Sequence, residues 1–458
     1  STFTVAGEVR RALAAAGFVV EKRIGYGRKR EMLAARRRDE ASRHRVPARP
    51  LREAPWFERR PQNLPPGASV AIVGAGIAGT SLAGACVEAG LVPTLIDPQG
   101  IAGGASGNPA GLIMPRLDLG DTPAARFFRL AYLHALRTIA RCDDGIAESF
   151  FHRCGVLLWA EDEAEARRQD KTVAQQLLPP DWIERRAEGL FFPQAGVIDP
   201  AAYCRRLASG AHLIRARAVS IDDDGDGVAI LFGDGARRRF DAVILANGVA
   251  ALRFAEARTL PLAAVLGQID YFKGAPAPAH AIAFGPYAAP SPAGGLVIGA
   301  TYEPIASGDE PQVSRRATAE NIAAVASALD IRLDPDRSVP RAAVRCQTPD
   351  RLPVVGALPD WDFCGAAYDD LRVGKKRDYP PGRTAPRRYI LAGLGSRGLV
   401  TAPYCAAMLA AELVGAPSPV ERDVADALHP ARFFVRDLRR GRTNSEAGAE
   451  RKGNGARE

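Results

Sequence analysis

The chain has 458 residues, of which 47% are hydrophobic and 25% are charged, and its formal net charge is +9. These values exclude a disordered or fibrous protein and fit a soluble globular protein of two or three structural units. Its seven cysteines contain no CxxC pair, and no two of its six histidines lie four residues apart. This spacing disfavours a disulfide framework or a metal site and indicates a reducing, cytoplasmic location.

The positive charge is concentrated at the two ends of the chain. Residues 1–60 carry a net charge of +9 and residues 432–458 carry +4, whereas residues 61–431 carry −4. Such asymmetry indicates a polyanionic partner, most simply nucleic acid. The alternative is that the arginine-rich ends are solvated tails without a partner.

Residues 1–35 are predicted to form a helix over 5–16, followed by two short strands around a glycine turn at 25–27. This segment is too small to fold well alone, and we expect it to be the end of another domain. Residues 36–67 combine arginines with prolines, which favours a linker in which Trp56 and Phe57 dock onto a neighbour.

A glycine motif opens the main part of the chain. Gly74, Gly76 and Gly79 follow the apolar run 70–73, and Asp97 lies eighteen residues beyond Gly79 at the end of a second apolar run. The first two glycines allow a tight turn and close approach of a pyrophosphate, the third allows helix–strand packing, and the acid binds a ribose hydroxyl. This arrangement predicts a Rossmann-type dinucleotide site.

The glycine motif also lies in the uncharged segment 70–87, which reaches the lower length limit of a membrane span. Its four glycines and its distance from the N-terminus disfavour that interpretation.

Three later segments offer polar backbone at the ends of predicted elements. A glycine-rich loop, 103–111, has donors for a phosphate or a flavin edge, although a plain loop is an equal alternative. A buried strand ends at Gly248. It could pass near the adenosine of a dinucleotide, and the alternative is that it is an ordinary Rossmann strand. The third segment precedes an alanine-rich helix over 404–414, with Pro403 near its start, and can stabilise negative charge on a reduced flavin. Its residues are Gly393, Gly395, Ser396, Arg397, Gly398 and Leu399.

Arg345 lies within an apolar predicted strand. A buried arginine is costly unless it is paired, so Arg345 should have an anionic partner. A substrate carboxylate and a structural ion pair with Asp350 are both candidates. Further along, residues 372–388 are basic and proline-rich, which predicts an exposed loop.

These motifs together resemble the D-amino-acid-oxidase and glycine-oxidase group of FAD enzymes over about residues 68–420. Segments 395–403 and 429–436 resemble, more narrowly, the FAD domain of bifunctional tRNA-modifying proteins. Residues 2–33 resemble the end of the methyltransferase domain of those proteins. The cofactor loop of that domain is not among these residues, so S-adenosyl-L-methionine-dependent methyl transfer is expected of the full-length protein and not of this chain.

The resemblance implies a mixed α/β fold, in which a Rossmann-type FAD-binding domain is interleaved with a β-rich substrate domain. FAD-binding parts are expected at about 68–135, 195–260 and 345–420, and substrate parts at about 136–194 and 261–344. The oxidoreductase domain would span 68–431, with a basic tail over 432–458. The implied FAD contacts are Gly74, Gly76, Gly79, Asp97, Ala105, Ser106, Asn108, Gly248, Gly393, Gly395, Ser396, Arg397, Gly398 and Leu399.

The resemblance also implies the reaction. FAD would oxidise the carboxymethylaminomethyl group on the wobble uridine of tRNA, releasing glyoxylate, with Arg345 binding the carboxylate and Tyr302 and Arg397 lining the isoalloxazine pocket. The basic ends, and residues 372–388, would contact the anticodon region of tRNA. A free glycine or sarcosine oxidase and a non-catalytic tRNA-binding flavoprotein remain the alternatives.

Overall fold

The computed structural model describes residues 7–25, 30–37, 54–144, 148–329, 331–375 and 377–441. It divides into two units, Ser1–Pro55 and Trp56–Glu458. In the first unit, a helix precedes an antiparallel hairpin whose register runs from Phe18 opposite Arg37 to Ile24 opposite Glu31. The helix and hairpin match the predicted elements, with longer strands. The predicted turn at 25–27 lies partly outside the described residues.

Ten helices and twenty-three strands are formed by the described residues. The helices are α1 Gly7–Ala15, α2 Ile77–Glu88, α3 Pro123–Asp143, α4 Glu163–Ala174, α5 Pro200–Leu207, α6 Arg315–Leu329, α7 Trp361–Tyr368, α8 Gly398–Val414, α9 Arg422–Leu428 and α10 Arg432–Arg439. The strands are β1 Phe18–Ile24, β2 Glu31–Arg37, β3 Ser69–Val73, β4 Val92–Ile96, β5 Gly111–Ile113, β6 Phe151–His152, β7 Val156–Trp159, β8 Glu184–Arg185, β9 Gly189–Phe192, β10 Gly196–Ile198, β11 His212–Ile214, β12 Ala218–Asp224, β13 Gly227–Phe232, β14 Arg237–Phe240, β15 Ala242–Leu245, β16 Ala263–Phe272, β17 Ala281–Ala283, β18 Tyr287–Pro290, β19 Leu296–Gly299, β20 Glu303–Pro304, β21 Val339–Gln347, β22 Val354–Pro359 and β23 Thr384–Ala392.

A six-stranded sheet in the order β11-β4-β3-β15-β23-β22 forms the centre of the second unit. Its strands pair in parallel except for β22, which pairs antiparallel with β23. Side chains alternate between its faces: Val70 and Ile72 pack against α2, α3 and α8, whereas Ala71 and Val73 pack against the β12-β13-β14 sheet. Burial on both faces explains the uninterrupted apolar runs in the sequence.

A nine-stranded sheet forms the second layer of the same unit. Its longest pairing joins β16 to β21 over nine residue pairs, from Ala263 opposite Gln347 to Tyr271 opposite Val339. The buried carboxylate of Asp270 fixes α6 to this sheet by accepting hydrogen bonds from Thr318 Oγ1 (2.7 Å) and Asn321 Nδ2 (2.7 Å). Strand β21 is held on one side by its pairing with β16.

Four predicted boundaries differ from the structure. Helix α8 begins at Gly398, so Pro403 lies inside it rather than near its start. The predicted loop 372–388 is shorter, because β23 already begins at Thr384. Part of the predicted tail 432–458 is the packed helix α10, whose Phe433 is buried. At the other end of the chain, β2 reaches Arg37, and residues 56–67 of the predicted linker belong to the second unit.

The predicted docking of Trp56 is specific. Its ring packs edge-on against Tyr368 and Tyr379, and Arg59 donates hydrogen bonds to Glu412 (2.6 Å) and to the carbonyl oxygen of Val355 (2.9 Å). The predicted linker therefore contains ordered structure at its C-terminal end.

Within the described residues, none of the helices combines the length and the apolar character that a membrane crossing requires. All seven cysteines lie in described segments as free thiols.

Candidate active site

The glycine turn joins β3 to α2 at the carboxyl edge of the six-stranded sheet. Gly74 has a φ of 109°, a conformation that favours glycine, and a Cβ there would lie 2.6 Å from the carbonyl oxygen of Ala246. A Cβ on Gly79 would lie 1.9 Å from the carbonyl oxygen of Gly74. At these two positions β3, β15 and α2 therefore lie too close together to accommodate a side chain.

Polar groups from neighbouring strand ends hold this turn. Asp97, which follows β4, accepts hydrogen bonds from the backbone amides of Ala75 (2.9 Å) and Gln99 (2.8 Å). Ser106 Oγ accepts one from the amide of Ile77 (2.8 Å) at the first turn of α2. Asp97 and Ser106 therefore shape the glycine turn in addition to any contact with a ligand.

The buried Oδ1 atom of Asn247, at the end of β15, has no hydrogen-bond partner within the described part of the chain. Buried acceptors are rarely left without a donor, so this atom indicates a ligand with a hydroxyl or amino group at the sheet edge. Open α/β sheets bind nucleotides at this edge, beyond the carboxyl ends of their strands. The unpaired Oδ1 acceptor of Asn247 and the glycine turn together fit a dinucleotide.

Strand β21 brings the separate candidate segments together. It contacts the short helical turns 105–107, 248–253 and 395–397. Side chains at alternate positions share one face of a strand, so Arg341, Arg345 and Gln347 point the same way. At one end, Arg341 donates hydrogen bonds to Asn108 Oδ1 (3.2 Å) and to the carbonyl oxygen of Gly104 (2.7 Å).

At the other end of β21, Gln347 forms a backbone bridge with Leu394 and accepts a hydrogen bond from the hydroxyl of Tyr302. Gly393 and Gly395 have φ values of 73° and 56°, which give the sharp turn from β23 into α8. The predicted residues Ala105, Gly248, Gly398 and Leu399 lie in the segments around this strand.

Arg345 lies between these two ends, with a partly buried guanidinium group. Its Nη1 atom donates a hydrogen bond to the carbonyl oxygen of Thr301 (3.1 Å), and its guanidinium lies over Gly267, where a Cβ would be 2.3 Å away. Burial lowers the pKa of Arg345, and the nearby phenols of Tyr287 and Tyr302 oppose that shift.

Within the described residues, Arg345 forms no ion pair. The alternative partner suggested by the sequence, Asp350, is instead bound by Arg432 through two hydrogen bonds of 2.9 and 3.0 Å. A partly buried cation without an anion is unfavourable, and a bound carboxylate would remove that cost.

A cavity of about 760 Å³ opens beside this strand, a size typical of ligand pockets. Apolar side chains line one part of it, including Met114, Leu158, Leu190 and Phe192. Tyr302, Gln347, Gly395, Ser396 and Arg397 line another part. Burial lowers the pKa of Arg397 to about 10, with a further contribution from the charge of Arg116, so Arg397 stays protonated at neutral pH.

Sequence reasoning missed several residues of this site. Arg341 lies four positions before Arg345. In a strand, side chains at positions 341, 345 and 347 point to the same face, so this spacing of Arg341, Arg345 and Gln347 could have identified one polar strand face. The cavity residues Arg116, Arg168 and Arg351 are remote from one another in the sequence, and only the fold brings them to one cavity.

Comparison with known proteins agrees with this geometry. Residues 69–412 match the FAD-dependent oxidoreductase family, and residues 1–38 match a family of S-adenosyl-L-methionine-dependent methyltransferases. The fold is similar to iminodiacetate oxidase from Chelativorans sp. BNC1, with a TM-score of 0.63, 21% identity, and 79% of this chain and 98% of that one covered. It is also similar to glycine oxidase from Geobacillus kaustophilus, with a TM-score of 0.62, 19% identity, and 82% and 99% covered.

Longer relatives cover almost all of the chain. Proteins named tRNA 5-methylaminomethyl-2-thiouridine biosynthesis bifunctional protein MnmC are 33% identical in Chromohalobacter salexigens and 34% identical in Methylobacillus flagellatus. Each match covers 96% of this chain, and 66% and 67% of the respective relative. The chain thus spans about two thirds of the length of these relatives.

Proposed function

This chain belongs to the family of FAD-dependent oxidoreductases, and from that premise we propose that it oxidises a carboxymethylaminomethyl group on the wobble uridine of tRNA. The names of its long relatives support tRNA as the substrate and 5-methylaminomethyl-2-thiouridine biosynthesis as the process. The observation that carries the proposal is Arg345, a partly buried cation that forms no ion pair with any described residue and shares one face of β21 with the cavity residue Gln347.

The chemistry follows from the substituent. It contains a secondary amine joined through a CH₂ group to a carboxylate, as in an N-alkylated glycine. Removal of a hydride from this CH₂ and a proton from the amine forms a C=N bond. Water then adds across that bond and splits it, which gives glyoxylate and leaves aminomethyl-uridine in the RNA. FAD, when bound at the glycine turn, supplies the acceptor for the hydride and its two electrons.

Arg345 performs the positioning step. Its Nη1 is engaged by Thr301, which fixes the guanidinium plane and leaves its other N–H groups to bind the substrate carboxylate side-on. This pairing aligns the adjacent CH₂ group and selects substrates that end in a carboxylate.

Tyr302 and Arg397 border the same cavity and complete the site. The Tyr302 hydroxyl donates to Gln347, so its oxygen is available to accept a hydrogen bond from the N–H of the neutral substrate amine. Arg397 adds a positive charge where negative charge would develop during reduction. These residues, with Arg345, are the proposed substrate and flavin contacts.

The basic ends of the chain are proposed to contact tRNA phosphates, since such contacts increase affinity without reading sequence. The segment 372–388 is a weaker candidate than its sequence indicated, because several of its cations are paired with acids. Arg372 binds Asp369 at 3.0 Å, and Arg377 binds Asp370 at 3.0 Å. The seven free thiols support the proposed cytoplasmic location.

Product analysis tests the proposal. The flavin-loaded chain is incubated with tRNA that carries carboxymethylaminomethyl-uridine, and the RNA is digested to nucleosides for mass spectrometry. We expect aminomethyl-uridine and glyoxylate in equal amounts. Oxidation of free glycine with unchanged tRNA would instead identify a small-amine oxidase, and tRNA binding without either product would identify a non-catalytic flavoprotein.

A further inference from the structure

The cavity carries three arginines that the proposed chemistry does not use, Arg116, Arg168 and Arg351. Arg116 is paired with Asp118 at 3.0 Å, and Arg168 is paired with Glu165 at 2.8 Å. Arg351 differs from both, because it is exposed and no carboxylate of the described segments lies within ion-pair distance of it. It is therefore the cavity arginine best suited to bind an anion from outside the chain.

The backbone at Arg351 is unusual. Its φ is 60°, in the left-handed region that glycine and asparagine tolerate better than arginine. Its amide donates a hydrogen bond to the carbonyl oxygen of Thr348 (3.1 Å), which closes a turn between Gln347 and the next strand. Strained residues persist only where their surroundings hold them, and they cluster at ligand sites.

The surroundings that hold this turn are a charge clamp, defined as Asp350 with Arg432. The buried Arg432 donates two hydrogen bonds to the Asp350 carboxylate and a third to the carbonyl oxygen of Leu352 (2.8 Å). Asp350 also accepts from Thr348 Oγ1 (3.0 Å). The residues on both sides of Arg351 are thereby fixed from α10, although eighty-two positions separate Asp350 from Arg432.

We propose that Arg351 binds a phosphate of the RNA strand next to the modified uridine, and that the charge clamp is a positioning pair for this contact. The inference rests on the proposed function. When a base enters the cavity, the phosphates of its own backbone stay at the opening, where an exposed guanidinium binds them in a bidentate manner. A free amino acid has no such group, so Arg351 distinguishes an RNA substrate from glycine.

The test is direct binding rather than turnover. The flavin-loaded chain is titrated against a fluorescein-labelled anticodon stem-loop RNA carrying carboxymethylaminomethyl-uridine, and the anisotropy is recorded at several salt concentrations. R351A should raise Kd about tenfold at low salt and reduce the slope of log Kd against log salt by about 0.7, the value for one phosphate of a single strand. The matched control is R217A, an exposed arginine that does not line the cavity.

The clamp is tested by coupling. D350N should weaken binding in the same direction, and the double variant should bind no more weakly than R351A, since both changes remove one contact. The flavin content and Tm of each variant verify its folding. If D350N does not fold, R351A still decides, because its side chain is exposed.

The outcomes separate the two proposals. If R351A, R217A and the protein without substitutions have equal Kd values and equal slopes of log Kd against log salt concentration, the proposed role of Arg351 is refuted. If the protein binds the RNA through Arg351 but does not oxidise it, the proposed reaction fails and the contact stands. If the protein binds no RNA, both fail.

Discussion

Replacement of Arg345 by glutamine separates a substrate-binding role from a structural one. The structure gives Arg345 a hydrogen bond to the Thr301 carbonyl oxygen and no ion pair within the described residues. A substrate carboxylate would gain about two charge-assisted hydrogen bonds from the remaining N–H groups, each worth about 1.5–3 kcal/mol. R345Q should therefore lose about 3–6 kcal/mol of transition-state binding, which corresponds to a decrease of kcat/KM by about 10²–10⁴-fold.

The thermal stability of R345Q should not fall with its activity. Removal of a partly buried cation that lacks an anion relieves a desolvation cost, so the Tm of R345Q should be equal to or higher than that of the unmodified protein. A structural ion pair would give the reverse, a loss of about 3–5 kcal/mol.

The assay measures the anaerobic flavin-reduction rate against the concentration of modified stem-loop RNA. R345K serves as the conservative variant, since it keeps the positive charge but loses the planar guanidinium group. Its kcat/KM should lie between those of R345Q and the unmodified protein. If kcat/KM of R345Q stays within about threefold of the unmodified protein, or if its Tm falls sharply, the carboxylate assignment is refuted.

G79A places a Cβ 1.9 Å from the Gly74 carbonyl oxygen, so the purified variant should retain little FAD, and a normal ratio of flavin to protein absorbance would contradict this. Burial tends to raise the pKa of Asp350, but its hydrogen bonds to Arg432 outweigh this and lower the pKa. The clamp should therefore stabilise the protein at neutral pH and lose that contribution as the pH falls through the lowered pKa of Asp350, so urea unfolding of D350N and the unmodified protein should converge in acid. Y302F should lower the flavin-reduction rate up to about tenfold with a Tm change below about 1 °C, because Tyr302 is exposed, and an unchanged rate would remove it from the site.

The dinucleotide half of the fold was predictable from sequence because its signals are local. The glycines at 74, 76 and 79 and the acid at 97 lie within one βαβ unit, where short-range backbone geometry dictates residue type. The apolar runs identified the buried parallel strands for the same reason. FAD as the cofactor and the mixed α/β fold are confirmed by the family match and the structural neighbours.

The substrate half was less predictable because its site is assembled from distant segments. Strand β21 organises the cavity only after it pairs with β16, whose paired residues lie 68 to 84 positions earlier in the chain. The partner of Asp350 is Arg432, whereas sequence proximity suggested Arg345. No local pattern encodes such pairings, since they depend on how sheets and helices pack.

The segment predicted as a tail from residue 432 contains an apolar pattern that indicates a helix, but its high positive charge favoured the interpretation as a tail. Phe433, Val435 and Leu438 are buried in α10, and Val435 and Leu438 have the i, i+3 spacing of one helical face. The arginines between them made the segment resemble a solvated tail. A basic amphipathic helix buries its apolar face whatever the charge of the other face.

The most direct test of the account is the visible absorption of the bound flavin under anaerobic conditions. One cuvette receives tRNA carrying carboxymethylaminomethyl-uridine, and a second receives free glycine. We expect the tRNA to bleach the flavin band rapidly and glycine to leave it unchanged. Bleaching by glycine with no response to the tRNA would contradict the assignment of the cavity to a modified wobble uridine.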